Sequence, residues 1–212
     1  MHIPDGFLNT ATVATTGIAS VGGLSVAVKI AANKLGEKQV PLMGILAAFI
    51  FAAQMLNFPV AGGTSGHLIG AALCAVLIGP WAGVIIMSAV LIAQSLIFQD
   101  GGLLALGANI FNMGFVAVFG AFLTYKLVSG ILGNSRRGRL TGAAIAGWVS
   151  VMLAAFAAAI ELAVSGASPF AVVTPAMLGI HALIGIGEGA ITVFILQAVL
   201  ATRADILDLE RV

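Results

Sequence analysis

The sequence predicts an all-α integral membrane protein of about seven transmembrane helices. Of its 212 residues, 60% are hydrophobic and only 8% charged, with a mean hydropathy of +1.14. A soluble domain carries about 25% charged residues. The apolar residues fall in long unbroken runs and not in short alternating segments, which favours helices over a barrel. No long polar stretch separates the runs, so residues 1–212 read as a single transmembrane domain. Residues 1–8 contain Asp5 and neither Lys nor Arg, so a cleavable signal peptide is not expected. The one cysteine, Cys74, lies in an apolar run and reads as a small core residue with no disulfide partner.

The expected spans are residues 10–32, 41–58, 67–79, 81–98, 103–127, 140–163 and 176–201. The first two carry small residues at every fourth position: Thr15, Ala19, Gly23, Ala27 and Ala31, then Gly44, Ala48 and Ala52. Such ridges let helices approach closely in lipid, and they serve either internal packing or docking of another membrane subunit. The third span is too short to cross unaided. The Gly-rich stretch before it is therefore expected at membrane depth, shielded by protein. Gly79-Pro80-Trp81 reads as a tight turn into the fourth span. The fifth follows Gln99-Asp100-Gly101-Gly102 and carries Asn109 and Asn112. Glu161, near the outer end of the sixth span, reads as a snorkelling side chain. The seventh holds His181 and Glu188.

Orientation follows from the nine basic residues. Lys29, Lys34 and Lys38 flank the first loop, and Lys126, Arg136, Arg137 and Arg139 the fifth. Arg203 and Arg211 lie at or beyond the last span. Seven spans place all of them on one face, which the positive-inside rule makes cytoplasmic, with the N-terminus outside and the C-terminus inside. His2, His67 and His181 then all lie toward the external side.

Met1-His2 is the most distinctive feature. A terminal amine, the His2 amide and the His2 imidazole can close two fused chelate rings around one ion. Three nitrogens in a plane with a fourth position open suit Ni(II) or Cu(II), and Co(II) with a strong ligand set. Pro4 has no amide hydrogen and stops chelation from spreading along the backbone. His67 follows Gly62, Gly63 and Gly66, which permit close approach of this loop to another segment. Its imidazole either fills the open fourth position or caps the third span. His181 reads as a support or core histidine bonded to a neighbouring helix. An ionisable Glu188 near mid-bilayer costs about 2.5–3.5 kcal/mol or more unless paired or protonated. It is expected to bond Gln94, Asn109 or Asn112, as a packing network before metal ligation. Asp100 either attracts cations, braces the N-terminal segment or is a solvated loop acid.

Together, Met1-His2-Ile3-Pro4-Asp5-Gly6-Phe7, the Gly62–His67 loop and Gln99-Asp100-Gly101-Gly102 resemble the CbiM/NikM family over nearly the whole chain. These are the substrate-binding membrane subunits of nickel and cobalt importers of the energy-coupling-factor type. The resemblance implies an extra N-terminal helix before a six-helix core, set in the inner (cytoplasmic) membrane of a prokaryotic cell. It implies that Ni(II) or Co(II) is the transported substrate, held by the Met1 amine, the His2 amide and imidazole, and the His67 imidazole. It also implies partners: a transmembrane coupling subunit, two cytoplasmic ATPase subunits and a small accessory membrane subunit. No phosphate-binding loop is present, as fits a non-enzymatic subunit energised by partner ATPases. Nickel is favoured over cobalt by the all-nitrogen set and the Ile-Pro-Asp-Gly variant. No nucleic-acid partner is expected.

Two other readings compete. A self-sufficient metal channel or secondary transporter would show inverted repeats and broken helices meeting at the midplane. Gly63-Thr64-Ser65-Gly66 also matches the motif of rhomboid-like intramembrane proteases, with His181 as the base, but that reading leaves Met1-His2 unexplained.

Overall fold

A computed structural model describes residues 1–36, 39–60 and 64–202. Its helices are α1 (Thr10–Lys34), α2 (Gln39–Gln54), α3 (Ala71–Ile78), α4 (Pro80–Phe98), α5 (Leu106–Ile131), α6 (Arg136–Val164) and α7 (Phe170–Thr202). All but α2 and α3 are long and apolar enough to cross a membrane. Side chains such as Ile18, Leu123, Leu183 and Phe194 stand exposed, as suits a lipid-facing surface.

Local chemistry sets the helix starts. Asn9 caps α1 by accepting from the Thr12 amide at 2.8 Å, and Ser135 caps α6 by accepting from the Gly138 amide at 3.1 Å. The helix α6 begins four residues before its expected span, because Arg136, Arg137 and Arg139 lengthen it without adding hydropathy. The last helix also begins early and runs through Pro175, a residue that breaks sequence patterns but is tolerated in membrane helices. π-helical turns close α4 at Gln94–Phe98 and interrupt α5 at Ile110–Val116.

Every residue of α3 is buried. This short helix sits at the centre, against α2, α4, α5, α6 and α7. Residues 67–70 precede it as irregular chain and not as its first turn. Between α2 and α3 an antiparallel hairpin pairs β1 (Phe58–Val60) with β2 (Thr64–Gly66), an exception to the all-α expectation. The ladder gives this loop's backbone groups partners where helix has ended.

Close helix pairs rest on small residues. A Cβ on Gly147 of α6 would lie 2.7 Å from the Gly189 Cα of α7. Ser20 of α1 donates to the Gly107 carbonyl of α5 at 2.6 Å. The small stripe of α1 is split: Ala27 and Ala31 are buried, but Thr15 and Ala19 are exposed and Thr16 and Ser20 pack instead. A row of every fourth residue drifts around a 3.6-residue helix, so the buried face changes row. On α2, Gly44, Ala48 and Ala52 are all exposed while Leu46, Ile50 and Gln54 face inward.

Candidate metal centre

The first residues of the chain are threaded into the protein. Met1, His2 and Ile3 are 1%, 4% and 0% exposed. Asn109 of α5 clamps this segment with its amide, accepting from the Ile3 amide at 2.9 Å and donating to the Ile3 carbonyl at 3.1 Å. The Gly102 amide also donates to the Ile3 carbonyl, at 3.0 Å. The Asp5 carboxylate accepts from the amides of Leu103, Leu104 and Ala105 at 3.1, 2.8 and 3.1 Å. Those donors precede α5, where a carboxylate is favoured. Any side chain on Gly102 would overlap Asp5, so the Gly101-Gly102 pair is a seat for the N-terminal peptide.

Seated in this way, the Met1 amine donates to the Ser65 carbonyl and to Ser65 Oγ. The His2 and His67 rings stack with centroids 4.4 Å apart and planes 19° from parallel. His2 Nε2 lies 3.1 Å from Gln94 Oε1, which only accepts. That contact is met by hydrogen on Nε2, and Nδ1 faces a second acceptor. Asp100 stands beside the same ring, Oδ1 to Nδ1 at 3.2 Å, and accepts from Asn57 Nδ2 at 3.1 Å. On His67, Nδ1 donates to the Leu68 carbonyl at 2.7 Å, and Nε2 is buried with no hydrogen-bond partner among the described residues.

The His67 loop is held from below. Glu188 of α7 accepts from the Ile69 amide at 2.8 Å and the Gly70 amide at 2.5 Å, while Gln54 of α2 donates to the Ile69 carbonyl at 2.7 Å. Gly70 takes φ +81°, and a Cβ there would lie 2.6 Å from Ile50 Cγ1, so only glycine lets the loop enter α3 this way.

Burial dominates the electrostatics. It holds the Met1 amine well below the ordinary range of an α-amine, against the attraction of Asp100. It lowers His2 too, more than the Asp100 hydrogen bond raises it. His67, in the loop ahead of α3, is pushed well below an ordinary imidazole by burial and then by the nearby amine and His2. For Asp100, burial works upward but the His2 contact and neighbouring charge outweigh it, and the carboxyl titrates below its ordinary value. Nitrogens whose protonation burial disfavours, beside a carboxyl that ionises more readily than usual, suit a divalent cation. Among the described residues, no three His, Cys, Asp or Glu side chains form a metal cluster. The donors gathered here are two imidazoles and main-chain nitrogen.

A family model described as the cobalt uptake substrate-specific transmembrane region, CbiM, matches residues 2–206. The chain belongs to the CbiM family. A solved structure, a truncated transition metal transporter, is 40% identical with a TM-score of 0.88, covering 95% of this chain and 99% of that one. The fused nickel transport protein NikMN of Rhodobacter capsulatus is 38% identical, over 91% of this chain and 59% of its own length. The cobalt transport protein CbiM 1 of Pelobacter propionicus is 33% identical, over 94% of this chain and 91% of that protein.

This CbiM-family structure brings Met1, His2, His67 and Asp100 together as the sequence suggested, and it corrects other readings. His67 does not cap α3, whose N-cap is Gly70 without a side-chain bond. Asp100 is no solvated loop acid but a brace on His2. Glu188 bonds the backbone of the His67 loop and none of Gln94, Asn109 or Asn112, because those three point to other partners. Asn109 holds Ile3, Gln94 holds His2, and Asn112 lies apart from the centre, donating to Glu161 at 2.7 Å. Glu161 is accordingly buried and does not snorkel. His181 is bonded within its own helix, to the Met177 carbonyl at 2.7 Å, not to a neighbour. Ser65 Oγ is taken by the Met1 amine, and His181 Nε2 has no hydrogen-bond partner among the described residues, Ser65 included, so the protease pairing is not formed. Four supporting residues escaped sequence reasoning: Asp5, read only as part of a motif, Gln94, assigned to Glu188 where it meets His2, and Gln54 and Asn57, not singled out.

Proposed function

We propose that this chain is the substrate-specific subunit of an ATP-driven importer of the energy-coupling-factor type. It captures Ni(II), in preference to Co(II), as its transported substrate. The ligands are the Met1 amine, the His2 amide, His2 Nδ1 and His67 Nε2. The observation that carries this reading is the burial of the Met1 amine beside two stacked imidazoles, one offering an Nε2 without a hydrogen-bond partner among the described residues. Ser65 uses two amine hydrogens and so leaves the amine's third direction for the ion. Two fused chelate rings with a fourth nitrogen suit square-planar Ni(II).

The site opens outward and the basic face lies in the cytoplasm of a prokaryotic cell. A transmembrane coupling subunit, two ATPases and a small accessory membrane subunit complete the importer, and the exposed Gly44, Ala48 and Ala52 face of α2 docks on the coupling subunit. The deciding experiment measures Ni(II) and Co(II) binding to purified protein with its native start and with one residue added before Met1. The extension is expected to abolish binding without altering any side chain. Equal binding by both forms overturns the assignment of the site. Uptake into liposomes by this chain alone would overturn the dependence on ATPase partners.

A further inference from the structure

Away from the metal centre, α5 and α6 share a second buried polar pair. Asn112 lies in the π-helical turn of α5, a rare geometry that recurs at functional sites, and Glu161 lies in the last turn of α6. They are 1% and 8% exposed, and Asn112 Nδ2 donates to Glu161 Oε2 at 2.7 Å. The other oxygen of each, Asn112 Oδ1 and Glu161 Oε1, is sealed from solvent with no hydrogen-bond partner among the described residues. These two oxygens belong to the same planar groups that the 2.7 Å contact joins. An ionised carboxylate only accepts, as does an amide oxygen, and buried oxygens are seldom left unpaired. One hydrogen answers both. A neutral carboxylic acid donates from Oε1 to Oδ1 while it accepts from Nδ2 at Oε2.

No cationic side chain stands where it could replace that hydrogen. The helices α2, α3 and α4 contain no charged residue. Lys126 lies fourteen residues beyond Asn112 on α5, and Arg139 lies twenty-two before Glu161 on α6, about 20 and 33 Å along their helices. The near end of α1 is marked by Thr12, which accepts from Ser165 Oγ at 3.2 Å, and Lys29 is seventeen residues further on. On α7, Glu188 is taken by the Ile69 and Gly70 amides, and His181 bonds the Met177 carbonyl. Asp5 is held by the amides ahead of α5.

We propose that Glu161 and Asn112 form a proton-binding site, in which one hydrogen shared between Glu161 Oε1 and Asn112 Oδ1 locks α6 to the π-helical turn of α5. The proton is taken from water and returned to it when the carboxyl ionises, and no other covalent bond changes. Ionisation leaves a single hydrogen bond between the helices and two bare oxygens beside it, so the lock opens as pH rises.

Infrared difference spectra of the purified chain, native minus Glu161→Gln at neutral pH, read the carboxyl directly. A carboxylic-acid carbonyl band belonging to Glu161 is expected, and Asn112→Ala should move it to higher frequency by removing both hydrogen bonds. Glu161→Gln mimics the proton-bound form, because its amide donates to Asn112 Oδ1 while its oxygen accepts from Asn112 Nδ2. Its thermal midpoint should lie within about 3 °C of the native one at neutral pH. Above neutral pH the native midpoint should fall below that of the variant by about 3 °C or more, since a proton held only by the folded state stabilises it until released. A carboxylate band in place of the acid at neutral pH overturns the site, with water or a metal cation between the two oxygens instead. A band that Asn112→Ala leaves in place overturns the pairing. Native and Glu161→Gln midpoints that fall in parallel with pH overturn the lock, as does a variant midpoint well below the native one at neutral pH.

Discussion

A primary amine is a poor metal ligand at neutral pH because a proton occupies its lone pair. Burial at Ser65 removes that obstacle by holding the Met1 amine well below its ordinary value, and His2 and His67 are lowered for the same reason. The sign is definite. A basic group with a lowered pKa binds fewer protons when docked than when free, so docking is strongest above the ordinary values and weakens as pH falls from them toward the lowered ones. Once docked, the nitrogens stay open to an ion until pH falls through the lowered values. Titration calorimetry in buffers of different ionisation enthalpy should therefore show fewer protons released per Ni(II) than by the free peptide Met-His-Ile, and a binding curve displaced to lower pH. Equal proton release would mean that the amine and imidazoles are as hydrated as in the peptide. The proposed ligands could be read from the sequence because the chelate rings they would close lie between adjacent residues. The supports were not: Asp5 meets partners 98 to 100 positions away, and nothing local marks such a pair.

Among the elements, α7 and the loop ahead of α3 act as one unit through Glu188. Its carboxylate receives two backbone amides and so fixes the strip of chain that presents His67. Glu188→Gln turns one acceptor oxygen into a donor facing another donor. Nickel affinity should fall by about 10–100-fold, the usual cost of removing a group that orients a ligand. Equilibrium dialysis measures it, and an unchanged Kd would show that the loop stays in place unaided. Hydropathy located all seven helices to within a few residues, since each crossing or buried run is recorded in adjacent positions. It placed the start of the third span at residue 67 where α3 begins at Ala71, because an apolar loop buried in protein has the same composition as a helix. The hairpin and the π-helical turns of α4 and α5 were likewise invisible, being decided by where backbone groups find partners.

Taken whole, the molecule joins a tightly packed pair, α6 and α7, to a centre assembled from short irregular segments. On the proposed reading, ions bound at that centre stabilise only the state in which the segments are together. Saturating Ni(II) should slow amide exchange in residues 1–9, 64–70 and 99–105 and leave the middle of α6 unchanged, as read by hydrogen-exchange mass spectrometry. Uniform slowing would place the ion elsewhere. The membrane class was legible from composition alone, whereas the long-range closure of the N-terminal peptide onto Asn109 was not, because it depends on which faces of seven helices meet. That closure also has a genetic consequence. Met1 is 1% exposed with its amine bonded at Ser65, so on the proposed reading a formyl group on that amine would occupy the nitrogen the ion needs. A change ahead of this methionine, chemical or coded, would then be felt at the metal while every side chain behind it stays intact.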